Sequence, residues 1–209
     1  MKKKNLIEKK IAYAEKRISE LIKAGDIRKL SETEKHKISN FYEEKSKNRL
    51  ETAKIIFSLS KDPKIAEISR EYKDYAETVT AAYYAMYYII HAFLALVYKS
   101  KLREGTRGVH AITENIIVYY LVKTKKLANH LYEEYIDAYE TTSHIQKLEI
   151  DDFQEQAYKY AKQYDNSRSA REIFTYNISS TVEEHHAKKA INTAEEFINT
   201  IRQVMERRI

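Results

Sequence analysis

Eight residues gather the most suggestive chemistry in this chain: Arg103-Glu104-Gly105-Thr106-Arg107-Gly108-Val109-His110, two arginines, two glycines and a histidine ahead of a helical pattern. Glycine-freed backbone N–H groups at a helix start, with arginine beside them, can cradle a phosphate, and a histidine can move a proton. A helix–helix turn whose glycines relieve backbone strain explains the same residues and is the preferred reading of the loop. Arg168 and Arg171 lie one helical step apart. They can share a face and bind phosphate, or pair with Asp165 and Glu172. His185-His186 beside Glu183 and Glu184 suggests metal binding. Neighbouring helical positions point in different directions, so exposed first-turn residues are preferred and no metal is expected. His91 stands inside an apolar stretch and reads as a core histidine. The tyrosines at 83, 84, 87 and 88 read as core and interface packing ahead of a base-stacking platform.

These groups must be positioned by helices. The chain has 209 residues with three glycines and one proline, and 43% of it is hydrophobic. That is enough apolar material for a core, with too few chain breakers for hairpins or Rossmann-type loops. The absence of cysteine excludes disulfides and thiolate metal sites and suits a reducing cytosol. The opening Met1-Lys2-Lys3-Lys4 leads into a charged amphipathic stretch, not an apolar leader, so a cytoplasmic location is expected. Val79–Tyr98 carries no formal charge over twenty residues. Its tyrosines and His91 point to a central bundle helix buried all round, with no membrane role. The net charge of +6 is uneven: residues 1–49 hold 15 Lys+Arg against 8 Asp+Glu, and the remainder is nearly balanced. A basic N-terminal quarter can meet phosphates or an acidic partner, although interleaved acids favour a solvated mixed-charge face.

The spacing predicts a helix over about Lys4–Ala24, with Ile7, Ile11, Ala14, Ile18 and Leu21 in one stripe and Gly25 as its C-cap. Ser31-Glu32-Thr33-Glu34 predicts a capping box opening a helix to about Leu59, with a kink or break near Lys45–Asn48. Further helices are expected to Lys101, from near His110, over about Leu127–Thr142, and over Asp151–Tyr164. A last one opens at a second capping box, Ser180-Thr181-Val182-Glu183. No segment alternates with period two over strand length. The expected fold is an all-α antiparallel helical bundle.

Three stretches give the pattern a likeness. Asn48-Arg49-Leu50-Glu51-Thr52-Ala53, Ala81-Ala82-Tyr83-Tyr84-Ala85-Met86-Tyr87-Tyr88 and Arg171-Glu172-Ile173-Phe174-Thr175-Tyr176 occur in that order, the last ahead of a Glu- and Ala-rich helix. Together they resemble the HEPN superfamily, in its small stand-alone prokaryotic branch. The resemblance spans about residues 48–205 and implies a HEPN-like bundle, like a nucleotidyltransferase substrate-binding subunit, over 48–209. Residues 1–47 then form a basic N-terminal helical extension.

The resemblance implies an RNA- or nucleotide-binding protein and a metal-independent endoribonuclease of toxin–antitoxin type, working without a cofactor as a homodimer. It places catalysis at Arg171 and Tyr176, with Arg168, Arg103, Arg107 and His110 as phosphate or RNA ligands. The family signature is Arg-x4-6-His. Here Tyr176 stands where histidine is usual and Thr175 where aspartate is usual. A tyrosine titrating near pH 10 is a poor base at neutral pH, yet it can bind phosphate or stack on a base. The alternative is a non-enzymatic helical interaction module that partners a minimal nucleotidyltransferase or another protein. A third reading is a structural oligomer held by the N-terminal stripe.

Overall fold

The computed structural model describes residues 2–66, 72–143, 145 and 182–207. The protein is an all-α helical bundle. Its helices are α1 (Lys2–Lys23), α2 (Glu32–Lys61), α3 (Tyr75–Tyr98), α4 (Val109–Ile117), α5 (residues 129–143) and α6 (Glu184–Glu206). The expected helix at Asp151–Tyr164 lies outside the described residues. Two three-residue strands, β1 (Ile27–Lys29) and β2 (Ser100–Leu102), pair antiparallel, with Arg28 opposite Lys101.

α3 is the axis. Most of its residues are buried, among them Tyr83, Met86, Ile89, Ile90, Phe93 and Leu94. It is long and apolar enough to cross a membrane by length and composition, and 78% of its most apolar window is buried inside the bundle. α2, α4 and α6 all pack on it.

The α2–α3 contact is built from small residues. α2 buries Ser39, Ser46, Ala53 and Ser60, spaced every seven residues. Ser39 Oγ donates to the Ala92 carbonyl at 3.2 Å, and Ser46 Oγ donates to the Ala85 carbonyl at 2.7 Å. At the far end Ser60 Oγ accepts from the Asp74 N–H at 2.8 Å. Side chains this short let the two backbones approach, and each buried hydroxyl is satisfied where it lies.

α2 begins as expected. Ser31 Oγ accepts from the Glu34 N–H, and the Glu34 carboxylate accepts from the Ser31 N–H. No break occurs near Lys45–Asn48, because α2 is one continuous helix. Its contact residue at that point is Ser46, so the loss of large apolar residues marks a close approach and no interruption. The junction drawn at 47/48 therefore falls in mid-helix.

The α1 stripe is covered by the same chain. Ala14, Ile18 and Leu21 are buried in the common core, with Ile7 and Ile11 packed against it. α4 and its continuation are the partners, so the stripe is not left open for a second copy. Gly25, at φ +74, ends α1. Its N–H bonds the Ile22 carbonyl, and the Asp26 N–H bonds that of Leu21, the paired closure of a Schellman motif. α4 runs on as a π-helical turn, Val118–Val122. α6 turns Ala187, Ile191, Ala194, Phe197, Ile198, Ile201 and Met205 into the core. Its N-cap is Glu183, not Ser180: the Glu183 N–H donates to His186 Nδ1 at 3.2 Å.

If the close α2–α3 approach holds the bundle, enlarging Ser46 will cost more than deleting its hydrogen bond. Ser46→Ala is expected to lower unfolding free energy by about 1 kcal/mol, and Ser46→Leu by about 3 kcal/mol through overpacking. Urea denaturation followed by circular dichroism reads both. Equal losses would mean that the spacing of the helices is not what Ser46 protects.

Candidate functional site: an aromatic cradle around two histidines

α3 brings Tyr83, Tyr84, Tyr87, Tyr88 and His91 onto two adjoining helical faces, and α4 supplies His110 from its first turn. Gly108 stands before that turn in the left-handed region, at φ +69, where a side chain would be strained. The chain can therefore turn sharply into α4 and set His110 against α3.

His110 is half-buried. Its Nδ1 lies 2.8 Å from the Tyr83 hydroxyl. The rings of Tyr84, Tyr87 and Tyr139 lie 5.8, 5.0 and 6.0 Å from its own. Burial lowers its pKa, so it is neutral at pH 7. Burial also pushes the Tyr83 hydroxyl well above the ordinary range, so Tyr83 keeps its proton. The fully buried Tyr135 packs beside it, with ring centroids 5.6 Å apart. The tyrosines are thus core packing at Tyr83 and Tyr135, while Tyr84, Tyr87 and Tyr88 are only half-buried.

His91 is buried one layer deeper, 4% exposed. Its Nε2 lies 3.1 Å from the Thr113 hydroxyl, which donates its own proton to the Val109 carbonyl at 2.7 Å. Thr113 must then accept from His91, which fixes the Nε2–H tautomer. Tyr42 and Tyr87 pack on the ring at 5.3 and 4.5 Å. His91 is the satisfied core histidine that its surroundings in the sequence suggest.

The 103–110 loop does not converge on one point. Arg103 reaches back to Asp26, with its guanidinium 3.2 Å from the carboxylate and its N–H on the Asp26 carbonyl at 2.8 Å. It fastens the loop to the turn after α1. Arg107 is exposed and forms no ion pair with a described residue. Only His110 enters the cradle. Arg168, Arg171 and Tyr176 lie outside the described residues.

Comparison with protein-family models, with curated proteins and with solved structures finds no match to this chain.

The structure adds residues that spacing alone did not bring forward. Phe41, Lys45 and Arg49 follow one another at single-turn intervals along α2, beside the cradle. Lys45 Nζ lies 5.7 Å from the centre of the Tyr88 ring, and the Arg49 guanidinium lies 5.8 Å from that of Tyr84. Their four-residue rhythm was a readable signal. A cavity of about 240 Å³ lies between α3, α5 and α6, lined by Glu134, Asp137, His186 and Lys189. The Glu134 carboxylate there already accepts from Thr193 and faces Lys189 at 3.8 Å. No group of three or more His, Asp or Glu among the described residues could hold a metal ion. His185 and His186 serve the α6 start, with His185 Nδ1 3.2 Å from Glu183.

The buried His91 gives the fold an acid sensitivity of defined sign. Burial holds its pKa at about 4, against 6.5 when unfolded. The unfolded chain takes up a proton that the folded chain refuses, so its contribution is full above pH 6.5. It is lost as pH falls toward 4, at up to about 1.4 kcal/mol per pH unit. Glu32 and Glu34, held at about 2 by their hydrogen bonds, lose their own contribution as pH falls from the unfolded value near 4.5 toward 2, so they enter only at the acid edge of that window. Urea midpoints measured from pH 7 to 4 should fall steeply in the native chain and less steeply in His91→Gln. Parallel slopes would assign the loss to other groups.

Proposed function

We propose that this protein is an RNA- or nucleotide-binding helical protein of HEPN type and acts on RNA without a metal ion. One observation carries the reading: a half-buried, neutral imidazole, His110, is held at one nitrogen by Tyr83 and walled by aromatic rings, with Arg49 over one of them. No described residue engages its Nε2. With Nδ1–H donated to Tyr83, Nε2 can take the proton of a ribose 2′-hydroxyl; in the other tautomer it donates to a phosphate oxygen. Attack of the 2′-oxygen on phosphorus, with departure of the 5′-oxygen, needs a base for the first step and a proton for the second. Arginine stabilises the charge that builds on the phosphate between them. The order and spacing of the HEPN-like stretches support the reading. Arg171 and Tyr176 remain its proposed catalytic pair, and a homodimer and a minimal nucleotidyltransferase partner belong to it.

The purified chain, in EDTA, should cleave an unstructured RNA to a 2′,3′-cyclic phosphate and a 5′-hydroxyl end. His110→Ala should slow cleavage ~10²-fold or more, and Arg171→Ala should abolish it. Both variants should keep the native circular dichroism. Equal activity in all three preparations would assign the nuclease to a contaminant and remove the proposal of catalysis.

A further inference from the structure

Phe41, Lys45 and Arg49 form a row on the side of α2 that flanks Tyr84 and Tyr88 of α3. Phe41 is 52% exposed, which is unusual for so large an apolar ring. Lys45 Nζ sits 5.1 Å from the centre of the Phe41 ring and 5.7 Å from that of Tyr88. Arg49 sits over Tyr84 at 5.8 Å. The rings of Tyr88 and Tyr84 lie 6.2 Å apart, and Tyr84 lies 5.8 Å from His110. Aromatic faces and cations thus alternate from Phe41 to the cradle.

Among the described residues the two cations meet aromatic rings and no carboxylate. Neither Lys45 nor Arg49 forms an ion pair with a described residue. Lys54 and Lys61 of the same helix are paired with Glu195 and Glu184 of α6. The row from Phe41 to Arg49 rises about 12 Å along the helix. That matches roughly three nucleotides of a strand with stacked bases.

Stacking faces and unneutralised cations in alternation are what a single strand of nucleic acid requires. A duplex hides its base faces and offers only grooves and phosphates. A second copy of the chain would have to bury, at the centre of its interface, two charges that have no ion partner among the described residues, and charged residues are depleted there. We infer that this row binds an unpaired RNA segment, with a base stacked on Phe41 and phosphates on Lys45 and Arg49, and leads its backbone to His110. The inference rests on the nucleic-acid reading above and names the form of RNA that the same site takes.

Fluorescence anisotropy with the full chain tests it. The probes are a labelled ten-nucleotide oligouridylate and a blunt RNA duplex of the same length, each over a range of salt. The single strand should bind about tenfold or more tightly than the duplex. Phe41→Ser should weaken the single strand by about tenfold. The pair Lys45→Gln and Arg49→Gln should flatten the slope of log affinity against log salt by about 1.4. Equal affinity for strand and duplex, or native binding by the α2 variants, would overturn the row while the RNA reading stood. Binding of neither probe would overturn both. The exposed positions chosen allow folded variants, checked by their urea midpoints.

Discussion

Everything in this bundle hangs on how closely α2 lies against α3. Ser39 and Ser46 reach the carbonyls of Ala92 and Ala85, and both partners of each pair are small and buried. The antiparallel register brings Ala53 level with Thr78, again small and buried. Dispersion between backbones at this range is gained over the whole helix length, and the hydroxyls remove the penalty that buried polar atoms would otherwise carry. The register also determines which residues flank the seam. On one flank are Tyr42, Lys45 and Arg49, next to Tyr84 and Tyr88. On the other are Glu43, Lys54 and Phe57, which meet Arg202, Glu195 and Lys188 of α6. One contact thereby separates a flank closed by α6 from a flank that carries the aromatic cradle.

The far wall of that cradle is held by α1. Lys10 Nζ lies 3.1 Å from Glu114 of α4 and 3.0 Å from the Tyr132 hydroxyl of α5, and Tyr132 donates to the same carboxylate at 2.8 Å. A closed triangle of charge and hydrogen bonds thus ties three helices at one partly buried point. At the other end Arg103 and Asp26 join the loop before α4 to the turn after α1, next to the β1–β2 pair. The N-terminal quarter is consequently a buttress of the site, and its basic surplus is partly consumed in building it.

The elements that local chemistry specifies were legible in the sequence. The Ser31–Glu34 box, the α1 stripe, Gly25 and the apolar face of α6 each rest on neighbours within a turn or two. The continuity of α2 was not legible, because a pattern of large apolar residues is blind to a seam made by serine and alanine. The strands were missed because three residues are too few to alternate, and they form only when α1 and α3 deliver Ile27–Lys29 and Ser100–Leu102 together. Within the site, His110 was visible as a residue type at a helix start. Its partner Tyr83, 27 residues away, became visible only through the packing of α4 on α3. Arg103 stood in the loop as an arginine, and its tertiary partner Asp26, 77 residues away, was not legible.

The π turn at Val118–Val122 makes α4 a helix with two phases. Before it, His110 and Thr113 must face His91 and the tyrosines of α3; at its C-terminal end, Leu121 and Val122 must lie in the core beside α1. A regular helix would keep both sets at a fixed angle of 100° per residue. The surplus residue offsets the second set from the first. Substitutions that retune the cradle can thus accumulate on the first turns without rotating the residues that seat α1. The dislocation uncouples the chemistry at one end of the helix from the architecture at the other.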